Sequence, residues 1–458
     1  MVNIGELGGW RVGRRRATVV TVGLVAITAV AACGGPGASS PGTSSAAAAP
    51  SAVSTNVADQ AATLTFFSAA GLKGFEQGLA DAFHAKYPKI TVSLQVEADN
   101  NYNTVLPRLL ASDSPPDVVG PSDLIGEVKD GLLTNLDSYD KAYGWAAKLP
   151  STVLAAGRVQ NGVIGSGSLY QAGGAAGPLV GVFYNKDLAA KVGMTAVPAS
   201  IPDLEAVMAK AKADGITPIV ASNSDGLVGH LYALLLGNYM GPQALLDVIW
   251  HKPGATLNTP EAKAATATLD KWAKAGYFNP DANAINQDGS YGQFAGGKGL
   301  FMFQGTWITQ ALPKAFDGKY GIFPMPPNQA GGKQVSMTGN SLGYAIAAKS
   351  KNKDAAGLFL DFLSTPDAAQ VAVKNGYPAL GGTTGAATVS LDAAITDHIQ
   401  AGYSKVGADN GFDSWLQNSA PAVATEETAQ LQLILAGKTT PDAAVTKLQD
   451  TYAKALKG

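Results

Sequence analysis

The sequence predicts an α/β protein of two lobes, carried behind a short export segment. Three observations lead there. From Thr63 onward, short apolar runs alternate with amphipathic helical stretches, the order that lays parallel strands under covering helices. The body, about residues 60 to 458, is long enough for two lobes. Leu300-Phe301-Met302-Phe303 sets four apolar residues in a row after a glycine-rich turn, as a strand buried on both faces of a parallel sheet does.

The N-terminus comes first in the chain and sets the compartment. Arg11, Arg14, Arg15 and Arg16 precede an uncharged run from Ala17 to Val30, closed by Val30-Ala31-Ala32-Cys33. A basic region, a short apolar region and small residues before a cleavage point make a secretory signal, placed at 1–32. The run is too short to cross a bilayer comfortably, since that takes about 20 apolar residues. Arg15-Arg16 fits twin-arginine export as well as the general route. Cys33 is the only cysteine, so no disulfide forms within the chain. Val-Ala-Ala-Cys resembles the bacterial lipobox, and that resemblance implies a diacylated Cys33 as the mature N-terminus. Residues 33–60 are mostly Gly, Pro, Ser, Thr and Ala, with little to bury, and read as a flexible tether.

Lys plus Arg number 33 against 35 Asp plus Glu, for a net charge of −2. No basic run interleaves with aromatics after residue 16, which argues against a nucleic-acid partner. No long apolar span follows the signal.

The elements then follow in order. Thr63–Phe67 is an apolar strand; Phe75, Leu79, Ala82 and Phe83 mark one helix face ending before Pro88; Ile90, Val92, Leu94 and Val96 alternate as a half-buried strand. Tyr102 to Leu110 reads as the next helix, and Asp117-Val118-Val119 as a short buried strand with Ser122-Asp123 beyond its end. Farther on, Pro202 opens a helix stopped at Gly215, Thr217–Ala221 is a strand, and Ser222-Asn223-Ser224-Asp225 is the polar loop at its end. After Phe303, Gly305 lets the chain bend at the end of the strand, where open α/β sheets place ligands, and Trp307 is a flat apolar plate with one N–H donor. Val445, Leu448, Tyr452 and Leu456 mark a closing helix after Thr440-Pro441.

Four motifs in order carry a family resemblance. Leu110 to Val119, with Pro116-Asp117-Val118, resembles the "PDV" signature of the sugar-binding proteins of ABC transporters, the extracellular solute-binding family 1. Val182-Phe183-Tyr184-Asn185-Lys186-Asp187-Leu188 is similar to its "YYNKDL" segment. Gly297-Lys298, Met302 and Gly305-Thr306-Trp307 match its "GKaaM…GsW" segment, and Ala345 through Ser364 resembles the block that follows. The resemblance implies a maltose-binding-protein-like, type II periplasmic-binding-protein fold with a hinge and an interlobe cleft. Lobe 1 would take about 61–177 and 327–376, and lobe 2 about 178–326 and 377–458, with crossings near Pro178, Pro326 and Pro378. The implied function is capture of a mono- or oligosaccharide by a monomeric lipoprotein at the cell membrane, for delivery to the membrane subunits of an ABC importer.

Sugars present flat C–H faces and dense hydroxyls, which aromatic plates and polar side chains satisfy. Trp307 is the first plate, and Trp415, in the loop from Asn410, resembles the family's later aromatic. By family position Ser68, Glu76, Tyr102, Asp123, Asn223 and Asn340 join them. Trp145, Trp250 and Trp272 read as packing residues. The family often carries a tryptophan soon after the Asn223 loop, where this chain has Val228-Gly229-His230, and the role of His230 stays open.

Catalytic and cofactor motifs are weak. Gly339-Asn340-Ser341-Leu342-Gly343 fits G-x-S-x-G, but Tyr344-Ala345-Ile346-Ala347 reads as a strand where that motif needs a helix. Gly292–Gly299 lacks the Ser or Thr of a phosphate-binding loop, and His84, His230, His251 and His398 show no metal-ligand spacing. No cofactor and no metal is expected. A secreted carbohydrate-active enzyme remains as an alternative, needing two carboxyls about 5 to 9.5 Å apart. So does a receptor of the same fold for a non-sugar solute.

Overall fold

Leu64, Phe66 and Ser68 are buried on one face of the strand Ala62–Ala69 and Phe67 on the other, and the strand lies inside a five-stranded sheet. In this computed structural model the described residues are 52–457, apart from 150, 176–179, 309–311, 338–341, 376 and 378–411. The signal, Cys33, Asn340 and His398 lie outside them, as do the crossings expected near Pro178 and Pro378.

The first sheet runs in the order Ile90–Glu97, Ala62–Ala69, Val118–Val119, Leu342–Ile346, Ala172–Ala175. Its first three strands are parallel, as the β-α-β-α-β order predicts; Leu342–Ile346 is antiparallel to both of its neighbours. Helices Lys73–Lys86 and Lys353–Phe362 cover one face, where Phe83 meets Phe359 edge-on with ring centroids 5.1 Å apart.

The second sheet runs Tyr320–Phe323, Val180–Asn185, Gly299–Gly305, Thr217–Ile219. Gly299–Gly305 is buried at all seven positions, as its apolar run requires. It is not in a purely parallel sheet, however. It pairs parallel with Thr217–Ile219 and antiparallel with Val180–Asn185. An apolar run reports burial on both faces and carries no information on strand direction. Helix Val228–Met240 is buried on every side from Val228 to Gly237, so it crosses the core of this lobe instead of covering it. Helices Ile201–Ala213, Pro260–Lys274 and Pro441–Ala455 start on Ser200, Thr259 and Thr440, whose hydroxyls accept an N–H of the first turn.

One boundary differs from the sequence expectation. Met325 and Met337 are buried in the second core, and Ser336 Oγ donates to Val180 O at 2.7 Å. Residues 327–337 therefore pack on the second lobe, and the return to the first sheet falls between Met337 and Leu342. Tyr377 in turn stacks on Phe75 in the first lobe, at 4.7 Å.

A second joint lies away from these strands. Arg158–Gln160, Val163–Ile164 and Ser168–Leu169 form a small antiparallel sheet on the first lobe. Ile164 N donates to Trp250 O at 3.1 Å, and Lys252 Nζ donates to Ile164 O at 2.7 Å. Trp250 packs against the cores of both lobes. Among the described residues no helix is long and apolar enough to cross a membrane.

Candidate functional site

Strand ends from both sheets converge on a cavity of about 380 Å³. The first lobe contributes the segment after Ala69, the loop Gly120–Ile125 after Val119, and Gly343-Tyr344; the second contributes His230, Trp307 and Trp415. Ligands of α/β sheets sit at such strand ends because loops there are free to vary while the strands hold them still.

The second-lobe wall is aromatic. Trp307 folds back over Gly305 so closely that a Cβ on residue 305 would lie 1.8 Å from the indole, so only glycine is compatible with this pose. Trp307 Nε1 donates to Tyr291 Oη at 3.0 Å, which fixes the ring's rotation. Trp415 lies 6.2 Å from Trp307, tilted by 59°. The His230 ring touches both, at 5.3 Å and 5.6 Å. Burial pulls the His230 pKa down to about 4, against an opposing hydrogen bond with Gln304, so the imidazole is neutral at pH 7. Its Nδ1 and the Trp415 Nε1 are buried without a partner among the described residues.

The first-lobe wall is polar. Glu76 is 2% exposed; its Oε1 accepts the Tyr344 hydroxyl at 2.9 Å, and the Ser68 hydroxyl bonds it too. Burial outweighs both bonds and raises its pKa to about 8, so at neutral pH the group is mostly a carboxylic acid. Its Oε2 is buried with no partner among the described residues, and when protonated that oxygen is a donor. Tyr102 stacks on Phe67 at 4.9 Å; its hydroxyl donates to Gly120 O at 2.9 Å and accepts from Gly120 N at 3.2 Å, binding two strand ends together. Burial, then the charges of Glu76 and Glu127, hold its pKa well above the ordinary value. Asp123 caps helix Leu124–Lys129 through Oδ1, which accepts from Gly126 N at 3.0 Å. Among the described residues no lysine or arginine lines the cavity.

Such a site offers ring faces on one side and, on the other, hydrogen-bonding groups that include the carboxyls of Glu76 and Asp123. It suits a neutral, hydroxylated molecule with apolar faces, and it disfavours an anion. Residues 69–370, about two thirds of the chain, match the family described as bacterial extracellular solute-binding protein. The chain belongs to that family.

Relatives of this solute-binding protein include binding proteins of Brucella abortus and Brucella suis, each 26% identical over 314 residues, covering 67% of this chain and 72% of theirs. Among solved structures, a chitin oligosaccharide binding protein superposes with a TM-score of 0.71 at 22% identity, covering 87% of this chain and all of its own. The GacH receptor of Streptomyces glaucescens, solved unliganded and with acarbose, gives 0.69 at 21%, with 87% and 99% covered. RafE, solved with raffinose, gives 0.63 at 20%, with 86% and 100% covered. These likenesses establish the two-lobed fold of maltose-binding-protein-like receptors.

In this solute-binding protein, Glu76, Tyr102, Asp123, Trp307 and Trp415 from the sequence expectation all line the one cavity. Ser68 sits behind the wall as a partner of Glu76. Asn223 is not in the wall: fully buried, it donates from Nδ2 to Asn283 Oδ1 at 2.9 Å and supports the loop from behind. Asn340 lies outside the described residues. Trp145 and Trp272 are fully buried packing residues. The sequence reading missed Tyr344, Gln171 and Gln287 as lining residues. Tyr344 was legible as part of a strand, but which neighbour its ring faces depends on the antiparallel pairing.

Proposed function

We propose that this protein is a lipid-anchored receptor that captures a carbohydrate between its lobes and delivers it to an ABC importer, without chemical turnover. The observation that carries the reading is the facing of the His230–Trp307–Trp415 wall and the neutral acid Glu76 across one cavity. A sugar ring stacks on the indoles, while its hydroxyls meet Glu76 Oε2, His230 Nδ1 and Trp415 Nε1, each buried without a partner among the described residues. Trp307 and Trp415 act as plates, Tyr102 and Ser68 hold the polar wall in place, and Asp123 closes its edge. Ligand touching both lobes shifts the population toward a closed form.

The test is a thermal-shift screen of mono- and oligosaccharides, since a ligand bound only by the native state raises stability by RT ln(1 + [L]/Kd). A sugar should raise the melting temperature, and small-angle scattering with that sugar should show a smaller radius of gyration. If amines or peptides stabilise the protein and no sugar does, the carbohydrate reading fails. Anchoring through Cys33 has its own test. Cys33→Ala should abolish membrane fractionation of the mature protein, and an unmodified Cys33 in the wild type would remove the anchor.

A further inference from the structure

Beside Asp123 a second chamber of about 350 Å³ adjoins the cavity. Asn103, Ser122, Asp123, Gln417 and Asn418 line both chambers, so the two meet along these five residues. The second chamber also lies between the lobes. Helices Asp99–Ala111 and Leu124–Lys129 form one side, and the start of helix Pro421–Leu435 forms the other.

Its chemistry differs from the first chamber. No aromatic residue lines it among the described residues. Glu127 does, and its side chain is 2% exposed. Glu127 Oε1 accepts from Ser122 N at 3.1 Å, Ser122 Oγ at 2.9 Å and Asp123 N at 3.3 Å, while Oε2 is buried with no partner among the described residues. A buried carboxyl oxygen left unpaired costs stability unless a ligand supplies its partner. Asp123 and Asp130 stand on the same side. Opposite, the 15-residue helix begins at Pro421 after Ala420, which provides no side-chain cap, so the positive end of the helix dipole borders the chamber. Acceptor carboxyls face the positive end of that helix, where Val423 N and Ala424 N already donate to Ala420 O at 2.9 and 3.1 Å. Hydroxyl groups both donate and accept, whereas an anion meets three carboxyls and an apolar group finds only Leu132, Pro107, Pro421 and alanine surface among the described lining.

We propose that the second chamber seats a further sugar unit, so that the ligand is an oligosaccharide lying across Asp123. One unit rests on the aromatic wall, and the next lies between Glu127 and the first turn of helix Pro421–Leu435. This inference rests on the carbohydrate reading above and adds the length of the ligand to it.

The experiment is calorimetry on the full chain in detergent micelles with three matched series: glucose, maltose and maltotriose; xylose, xylobiose and xylotriose; N-acetylglucosamine and its β-1,4-linked dimer and trimer. In one series the di- or trisaccharide should bind about tenfold or more tighter than its monosaccharide, the scale of one extra seated unit. Ala424→Trp fills the chamber from a half-buried helix position, and Thr425→Tyr does so from an exposed one, so at least one variant should fold as the wild type does. Either should bring the oligosaccharide affinity down to that of the monosaccharide and leave the monosaccharide affinity within about twofold. Equal affinity for all lengths in every series, or an advantage that survives both substitutions, overturns the two-chamber ligand and leaves the receptor reading intact. Absence of any sugar binding by wild type overturns both.

Discussion

The two walls of the cleft are built on opposite physical terms. The wall of Trp307, Trp415 and His230 carries no charge at neutral pH and presents ring faces held in place by packing. The wall of Glu76, Tyr102 and Tyr344 is polar, and its groups are committed to one another and to strand ends before any ligand arrives. For the proposed sugar ligand, the difference divides the work between the walls. Faces are matched by area, edges are matched by preset hydrogen bonds, and each wall alone supplies half of what a pyranose displays.

The comparison breaks hardest at the aromatic side. Trp307→Ala should weaken sugar binding by about 1 to 3 kcal/mol, or about ten- to over a hundredfold in Kd, by analogy with other aromatic stacking. Because Trp307 is half-buried, the melting temperature of the ligand-free variant should change little. Unchanged affinity would take Trp307 out of the site. Gly305→Ala is the next test, since the added Cβ must evict the indole or shift the strand. Affinity should fall about tenfold, and overpacking in this buried strand should cost about 1 to 3 kcal/mol of stability. Retention of both would show that the ring has room to move. Tyr291→Phe should act more mildly. It removes the bond that sets the indole's rotation, for about 0.5 to 1.5 kcal/mol in calorimetric affinity.

The polar side is sharpened by pH. Burial moves Glu76 from 4.5 to about 8, so the native state keeps a proton that the unfolded chain has lost above pH 4.5. Stability therefore declines as pH rises from about 4.5 toward 8, and Glu127 and Glu427, raised to about 7 and about 8 by burial, act in the same direction. Glu76→Gln should flatten part of that decline in melting curves against pH, with affinity at pH 7 within a few-fold of wild type because the amide still donates. A variant with an unaltered slope would mean that Glu76 is charged in the native state. His230 has the opposite sign. Its pKa falls from 6.5 to about 4, so stability is lost as pH drops through that interval, and His230→Phe should remove this share of the acid loss.

The elements and the plates were legible because they rest on local pattern. Apolar alternation located Ala62–Ala69 and Ile90–Glu97, Thr440-Pro441 announced the last helix, and Gly305-x-Trp307 marked the aromatic wall. What was not legible depends on long-range pairing. The antiparallel course of Gly299–Gly305 and Leu342–Ile346 leaves no trace in either run. The segment 327–337 is assigned by Met325 and Met337 entering the second core, a choice that chain order does not express. Asn223 has the composition of a ligand residue, yet its amide is held by Asn283. His230 sits in a helix buried on all sides, so no polar stripe signalled that its ring emerges between two tryptophans.

The joint at Trp250 bears on time more than on affinity. Ile164 faces the cavity, while Trp250 and Lys252 stand outside its wall. Parting the lobes along this seam breaks the Ile164–Trp250 and Lys252–Ile164 bonds and brings an indole shared by two cores into water. The barrier to opening thus includes work done on residues that never meet the ligand. For the proposed sugar ligand, that seam would set part of the residence time, which could be tuned there without redrawing specificity.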